Sequence, residues 1–431
     1  MVDTTVQAAE AARGERRAHR LGWFYIGLGL FVALVFASTV TGEGDSSFGM
    51  VLARDRFADF EIGLGSLRLL PSLVVPAALT NFLIAAVMGF LGARLLTKKA
   101  LKPSNLTLAL VIGLFLFAFL TWAAAGQSFN LASMLRQSVL RSAPLTFGAL
   151  AGVLSERVAV INIAIEGMLL GGAFTGVIVG SLYGAWPGVL AAIITGGLLA
   201  WVLAVLSIKY KVDQIISGVV INIFVLGLTS FLSVQILTQN ADLNNSPRIG
   251  AWNVPFLSDI PFFGTILFKQ NLFVYIMFGL VAVTTYALFF TRWGLRTRAV
   301  GEHPKAADTL GVDVYRIRYI GVILGGLVAG FGGAFFTIGQ VGRFDENMTG
   351  GRGYIALAAM IFGRWHPVGA MSAALVFGFS DAIANKLGIL NTPIPSEFLA
   401  MAPYIATLIV VAGVVGKSRP PAADGIPYEK Q

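Results

Sequence analysis

Apolar stretches of about 20 residues, separated by short polar and charged breaks, recur along this chain. Windows of that length match the roughly 30 Å hydrocarbon thickness of a bilayer. They predict spanning helices near 21–40, 70–92, 105–125, 161–183, 186–207, 215–237, 272–290, 319–340, 367–386 and 398–416. Two further apolar pieces, near 142–155 and 354–363, are too short to cross as straight helices. The expected fold class is all-α: a polytopic transmembrane helix bundle of about ten full spans plus two short interrupted segments. Long apolar runs, without strict period-2 alternation, argue against an outer-membrane barrel.

The two short pieces resemble each other. "FGALAGVLSERV" (Phe147 to Val158) aligns without gaps on "YIALAAMIFGRW" (Tyr354 to Trp365), with Ala-Leu-Ala and the arginine in register. Interrupted apolar segments in corresponding halves of a chain point to a translocation path. The stretch "LSERVAVINIAIEGM" (Leu154 to Met168) also carries Glu156, Arg157, Asn162 and Glu166 inside a long apolar region. Asn162 and Glu166 are four apart and share a helix face. They are candidates to line a solute cavity or to bond one helix to another, and Asn222 and Asn385 are further candidates for the path.

Composition identifies an integral membrane protein, with 56% hydrophobic and 12% charged residues, about half the charged share of a soluble domain. The net charge of +9 lies in short clusters between apolar runs rather than on one amphipathic face, so it fixes orientation and does not indicate nucleic acid. With both termini cytoplasmic and both short pieces counted as crossings, most of the 31 lysines and arginines fall inside, which favours a multi-pass protein of the cytoplasmic (inner) membrane. Leu21 to Val40 is longer than a signal-peptide core and reads as a retained first helix. The tail "KSRPPAADGIPYEKQ" from Lys417 reads as disordered. The chain divides into a basic cytoplasmic N-terminus (1–20), N-terminal membrane helices (21–125), a membrane core (126–416) and the tail (417–431). With no cysteine and three histidines, no disulfide, thiolate metal site or histidine metal centre is expected. Spans four residues apart in glycine, such as Gly172, Gly176 and Gly180 or Gly326 and Gly330, allow close helix packing.

The loop "TRWGLRTRAVGEHPKAADTLGVDVYRIR" (Thr291 to Arg318) is polar enough to leave the membrane. His303 and Pro304 start a short helix from Lys305 to Leu310, ended by Gly311, whose Ala306, Ala307 and Leu310 offer a small apolar face to a partner. "GVVGKS" (Gly413 to Ser418) is not a phosphate-binding loop, because position 411 is Val where the pattern needs glycine. The chain therefore shows no means of hydrolysing ATP itself.

This loop is similar to the coupling loop of ABC importer permeases. "SAPLTFGALAGVLSERVAVINIAIEGMLLGGAF" (Ser142 to Phe174) and "ENMTGGRGYIALAAMIFGRWHPVGAMSAALVFGFSDAI" (Glu346 to Ile383) resemble the ribose and nucleoside group of those permeases, closest to the nucleoside-uptake branch. Ala164 and Ile165 depart from the Gly-Leu usual before the Glu-Gly pair. The resemblance implies a non-catalytic subunit of an ATP-driven importer, moving nucleosides or simple sugars. Its implied partners are a second permease, in a heterodimer, an ATP-binding subunit that holds ATP and Mg, and an extracytoplasmic substrate-binding lipoprotein. It also implies that Glu302, His303, Pro304, Lys305, Ala306, Ala307, Leu310 and Gly311 couple to the ATP-binding subunit. No catalytic residue, bound metal or bound cofactor is expected of this chain. The alternatives are an ion- or proton-coupled secondary transporter and a membrane-embedded enzyme. The latter needs an acidic or histidine cluster, and Asp45, Asp55, Asp59 and Glu61 form no such pattern.

Overall fold

The computed structural model describes residues 2–38, 45–49, 73–97, 104–123, 125, 128–260, 262–389, 401 and 419–430. The chain divides into two compact units, Met1–Ser133 with Lys386–Pro395 and Met134–Asn385 with Ser396–Gln431. In the first, α1 (Val2–Phe31) runs on through a wide turn, Val32–Ala37, and packs with α2 (Ala77–Leu96) and α3 (Asn105–Ala123). The basic N-terminal residues thus share a helix with the first span. Rings of Phe36, Phe115, Phe119 and Trp122 fill the space between these helices. A strand, β1 (Asp45–Gly49), pairs antiparallel with β2 (Leu73–Pro76) and parallel with β3 (Ser128–Asn130).

The second unit is built from long helices: α4 (Leu131–Glu156), α5 (Ile165–Tyr183), α6 (Ala185–Ala204) and α7 (Gln214–Leu232). After a connection holding the hairpin strands β4 (Ala251–Asn253) and β5 (Lys269–Asn271), with the single turn of α8 (Phe263–Leu267) between them, come α9 (Leu272–Phe290), α10 (Arg292–Glu302), α11 (Pro304–Thr309) and α12 (Val314–Phe336). The short α13 (Arg352–Phe362) and α14 (Pro367–Ile389) follow. Among the described residues ten helices are long and apolar enough to span a bilayer, and α13 is the shorter apolar piece that the sequence predicts.

Two expectations change, and a third lies outside the described residues. The apolar piece at 142–155 is the second half of α4, a 26-residue helix. Arg136, Gln137 and Arg141 in its first half depress the hydropathy and disguise the crossing; helix α4 tolerates them because they line two partly open cavities. The stretch predicted at 398–416 lies outside the described residues, apart from Met401. The tail is not disordered over residues 419–430: it packs at the α10–α11 end, burying Pro421, Ala423 and Tyr428 and turning Asp424 inward, while Ala422, Ile426 and Pro427 are exposed. Proline and glycine, read as marks of disorder, here shape a chain without regular secondary structure that still buries alternate apolar side chains.

Lipid gives no hydrophobic drive for helix association, so close packing must supply it. Helices α5, α6 and α12 meet backbone to backbone at their glycines: a Cβ on Gly172 would lie 2.8 Å from the Gly330 carbonyl oxygen. One on Gly330 would stand 3.1 Å from Gly196 Cα and collide with the Ala192 carbonyl. We predict that Gly330→Val, which overpacks this crossing at a cost of about 1–3 kcal/mol or more, sharply lowers the yield of folded monodisperse protein in detergent. Gly279→Val on α9, where no atom lies within 4 Å of the new Cβ, should leave that yield unchanged.

Candidate functional site

A short helix inside a membrane bundle leaves its first N–H groups without intrahelical partners, and no water is at hand to take them. For α13 the partner is Glu166, the first acidic residue of α5. Its Oε1 accepts from Thr349 Oγ1 at 2.6 Å and from the Gly351 amide at 2.8 Å, and its Oε2 accepts from the Gly353 amide at 2.5 Å. The carboxylate is buried, and it is stabilised both by these bonds and by the positive end of the α13 dipole. The sequence "TGGRG" supplies the fit. Gly350 and Gly351 take left-handed backbone (φ +52° and +80°), and a Cβ on Gly353 would lie 2.7 Å from Glu166 Oε2.

Asn222 serves the start of α5 in the same way. Its Oδ1 accepts from the Gly167 amide at 2.7 Å, and its Nδ2 donates to the Ile163 carbonyl at 2.8 Å and the Tyr354 hydroxyl at 3.1 Å. Asn222 lies eight residues past the start of α7, about 12 Å along the axis at 1.5 Å per residue. The N-terminus of α5 therefore starts inside the bundle. Asn162 Nδ2 donates to Ser155 Oγ at 3.2 Å, tying the segment before α5 back onto α4.

The far end of α13 is held by the charges that open the same stretch. Trp365 Nε1 donates to Glu156 Oε2 at 2.5 Å, Arg157 Nε donates to the Trp365 carbonyl at 2.9 Å, and Arg157 Nη2 reaches the Arg364 carbonyl at 3.5 Å. Arg364 and Trp365 both take left-handed backbone, turning two carbonyls toward Arg157. The matched arginines of the two similar segments, Arg157 and Arg364, thus meet. Between the ends, Gly152 faces Met360 and Gly148 faces Ala356, so α4 and α13 cross closely.

Beside this assembly lie two adjoining cavities of about 420 and 680 Å³, sharing Gln137 and Gln340. The first is also lined by Arg141, Pro144, Phe336 and Arg352, the second by Arg136, Leu140, Arg248 and Asn271. Both follow from broken helices. Pro144 has no N–H for the Leu140 carbonyl, and α12 widens at Thr337–Val341. The outer connection captures carbonyls from that wide turn: the Ile249 amide donates to the Ile338 carbonyl, and Asn271 Nδ2 donates to the Gly339 carbonyl at 2.5 Å. Arg141 pairs with Asp381 at 2.5 Å, and the Arg352 guanidinium sits 5.6 Å from the Phe336 ring centre.

The structure therefore brings Asn162, Glu166 and Asn222 into one buried region, while Asn385 stands exposed on α14 and takes no part in their hydrogen bonds. Glu166 holds the loop 349–353, whose neighbours Met348 and Arg352 line the smaller cavity. Sequence reasoning missed Gln137, Arg141 and Gln340 on the cavity wall. The polar residues inside apolar α4, together with Pro144, were the available signal. Among the described residues, no group of His, Cys, Asp and Glu could hold a metal ion.

In the 291–318 loop, α11 spans Pro304–Thr309, with His303 Nδ1 accepting from the Ala306 amide at its start and Gly311 left-handed at its end. Its expected face is divided. Ala307 is buried, while Ala306 and Leu310 are exposed. Glu302 Oε2 accepts from the Ala422 amide of the tail at 3.2 Å, and Lys305 is exposed.

We predict that Glu166→Gln costs about 2–3 kcal/mol, because an amide N–H then faces the Gly353 N–H and a charge-assisted bond is lost. Gly353→Ala should act in the same direction by displacing the carboxylate. Thermal unfolding of the purified protein in detergent tests both, and unchanged melting in both variants would show that this carboxylate does not hold α13.

Residues 134–412 match the family described as branched-chain amino acid transport system / permease component. The match begins where the second compact unit begins. The chain is 41% identical to the nucleoside ABC transporter permease NupC of Lactococcus lactis subsp. cremoris, over 68% of this chain and 95% of that one. It is 40% identical, with the same coverage, to the guanosine ABC transporter permease NupQ of Bacillus subtilis. A putative glucose ABC transporter permease of Haloferax volcanii, TsgC13, is 33% identical over 66% of this chain and 92% of its own. No solved structure matches the chain significantly. These likenesses favour the importer reading over the secondary transporter and the membrane enzyme. The chain belongs to the ABC importer permease family and is a non-catalytic, multi-pass membrane subunit whose family works with an ATP-binding subunit and a substrate-binding protein.

Proposed function

We propose that this permease carries nucleosides across the cytoplasmic membrane, with simple sugars as the second solute class, and that the solute passes along the two adjoining cavities. The likeness to relatives named for nucleoside and guanosine transport carries this reading. The cavity chemistry supports it. Spaces of several hundred Å³ each suit a small polar ligand, Phe336 with Arg352 offers an aromatic and cationic plane for a base, and Gln137 and Gln340 offer amide donors and acceptors for ring and ribose atoms. Glu166, Asn162 and Asn222 then act from behind the wall, by fixing the helix starts that frame the path.

In this reading both termini and the α10–α11 end face the cytoplasm, where the basic residues concentrate. The 238–271 connection faces outward, toward a substrate-binding lipoprotein. A second permease chain, in a heterodimer, completes the pore. ATP and Mg belong to the ATP-binding subunit, which engages this chain through Glu302 to Gly311. Its closure moves α11 and rocks the helices around the cavities.

The test is reconstitution in proteoliposomes with the second permease, the ATP-binding subunit and the substrate-binding protein, following labelled guanosine with excess glucose as competitor. Guanosine uptake that needs ATP and ignores glucose is expected. Gln340→Leu should lower uptake about tenfold while the complex assembles and hydrolyses ATP normally. Uptake driven by an ion gradient without partner subunits, or glucose uptake alone, would overturn the reading.

A further inference from the structure

The folded tail shares the α10–α11 end of the bundle with the coupling loop. Its backbone is pinned to that loop: the Ala423 amide donates to the Gly301 carbonyl at 3.0 Å, and the Ala422 amide to Glu302 Oε2 at 3.2 Å. The Tyr315 hydroxyl donates to the Tyr428 carbonyl at 3.3 Å, and the two rings pack 5.4 Å apart. Lys211 pairs with Glu429 at 2.5 Å, and Lys430 approaches Asp308 of α11 at 3.9 Å. On its inner side the tail reaches the long helices. Arg318 Nη1, on α12, donates to the Ile426 carbonyl at 3.1 Å. Asp424 lies close to Glu156 at the end of α4, and burial pushes its carboxyl up to about 6 against the pull of Arg318.

This region leaves apolar side chains in the open: Leu295 on α10 at 63% exposure, Leu310 after α11 at 84%, and Ile426 in the tail at 56%. Exposed Arg292, Arg296, Lys305 and Arg316 stand among them in sequence. Apolar anchors with a basic rim fit a partner groove that is apolar at its centre and acidic at its edge. The family supplies one partner that must touch the coupling loop, the ATP-binding subunit.

We propose that the docking surface for the ATP-binding subunit is composite, formed by α10 and α11 together with residues 419–430, with Leu310 as the loop's anchor and Ile426 as the tail's. The tail is then a second point of attachment. It passes the partner's movement to α4 and α12 through Glu156, Asp424 and Arg318, in parallel with α11. This proposal rests on the assignment of the coupling loop above.

The chain has no cysteine, so Leu310→Cys and Ile426→Cys each give one labelling site for a maleimide photo-crosslinker in the purified complex. Capture of the ATP-binding subunit from both positions, identified by mass spectrometry, is the expected result. Capture from position 310 but only lipid or a second permease chain from position 426 would overturn the composite surface and leave the coupling-loop assignment standing. No capture of the ATP-binding subunit from either position would overturn both. In the reconstituted transporter, Ile426→Asp should reduce stimulation of ATP hydrolysis by the loaded substrate-binding protein at least fivefold, with Ile426→Leu restoring it. Equal stimulation in Ile426→Asp and the wild type would overturn the proposal.

Discussion

The structure depends on a single electrostatic constraint: helix starts buried in a membrane bundle must find acceptors for their N–H groups inside the protein. Glu166 meets it for α13 and Asn222 for α5, with no water required. A carboxylate is costly in this setting unless its oxygens are filled, and here three donors fill them. The charge that looks out of place in "LSERVAVINIAIEGM" is thus what permits an 11-residue helix to begin inside the bundle.

That permission shapes the space around it. Because α13 stops short of a full crossing, its preceding loop remains within the bundle and presents Met348 and Arg352 to the smaller cavity. The opposite wall comes from helices broken in other ways, by Pro144 in α4 and by the wide turn in α12. Backbone groups released by the latter are taken up by the 238–271 connection through Ile249 and Asn271. Polar wall and irregular backbone therefore occur together for one reason: non-helical backbone at membrane depth is tolerated only within protein or beside a cavity.

Much of this was legible in the sequence. Apolar windows located most spans, and 272–290 agrees with α9 end to end. The short helix α13, the His303-Pro304 start and the glycine crossings were also visible, because each follows from local chemistry. What hydropathy could not read was α4, where residues facing a cavity lower the average, and the tail, where proline and glycine accompany packing rather than disorder. Residue type and spacing picked out Asn162, Glu166, Asn222 and Asn385 as candidates for the path, but spacing on one helix cannot tell a cavity wall from a bond between helices. That distinction lies in contacts 183 and 185 residues apart, from Glu166 to Thr349 and Gly351.

The same contacts give the short helix a mechanical character. A helix of 11 residues is about 16 Å long, and its internal hydrogen bonds make it a stiff strut compared with the loops at its ends. One end is fixed to Glu156 and Arg157, where α4 terminates and where Asp424 of the tail lies. The other is fixed to Glu166, beside the cavity wall. A displacement of the α4 terminus relative to α5 must then tilt α13 as a body or break one of its end contacts. Breaking them would strand a buried carboxylate or a set of buried amides, whereas a tilt keeps the contacts at both ends. The geometry thus favours a rigid tilt, and Arg352, at the cavity end of the strut, moves with it.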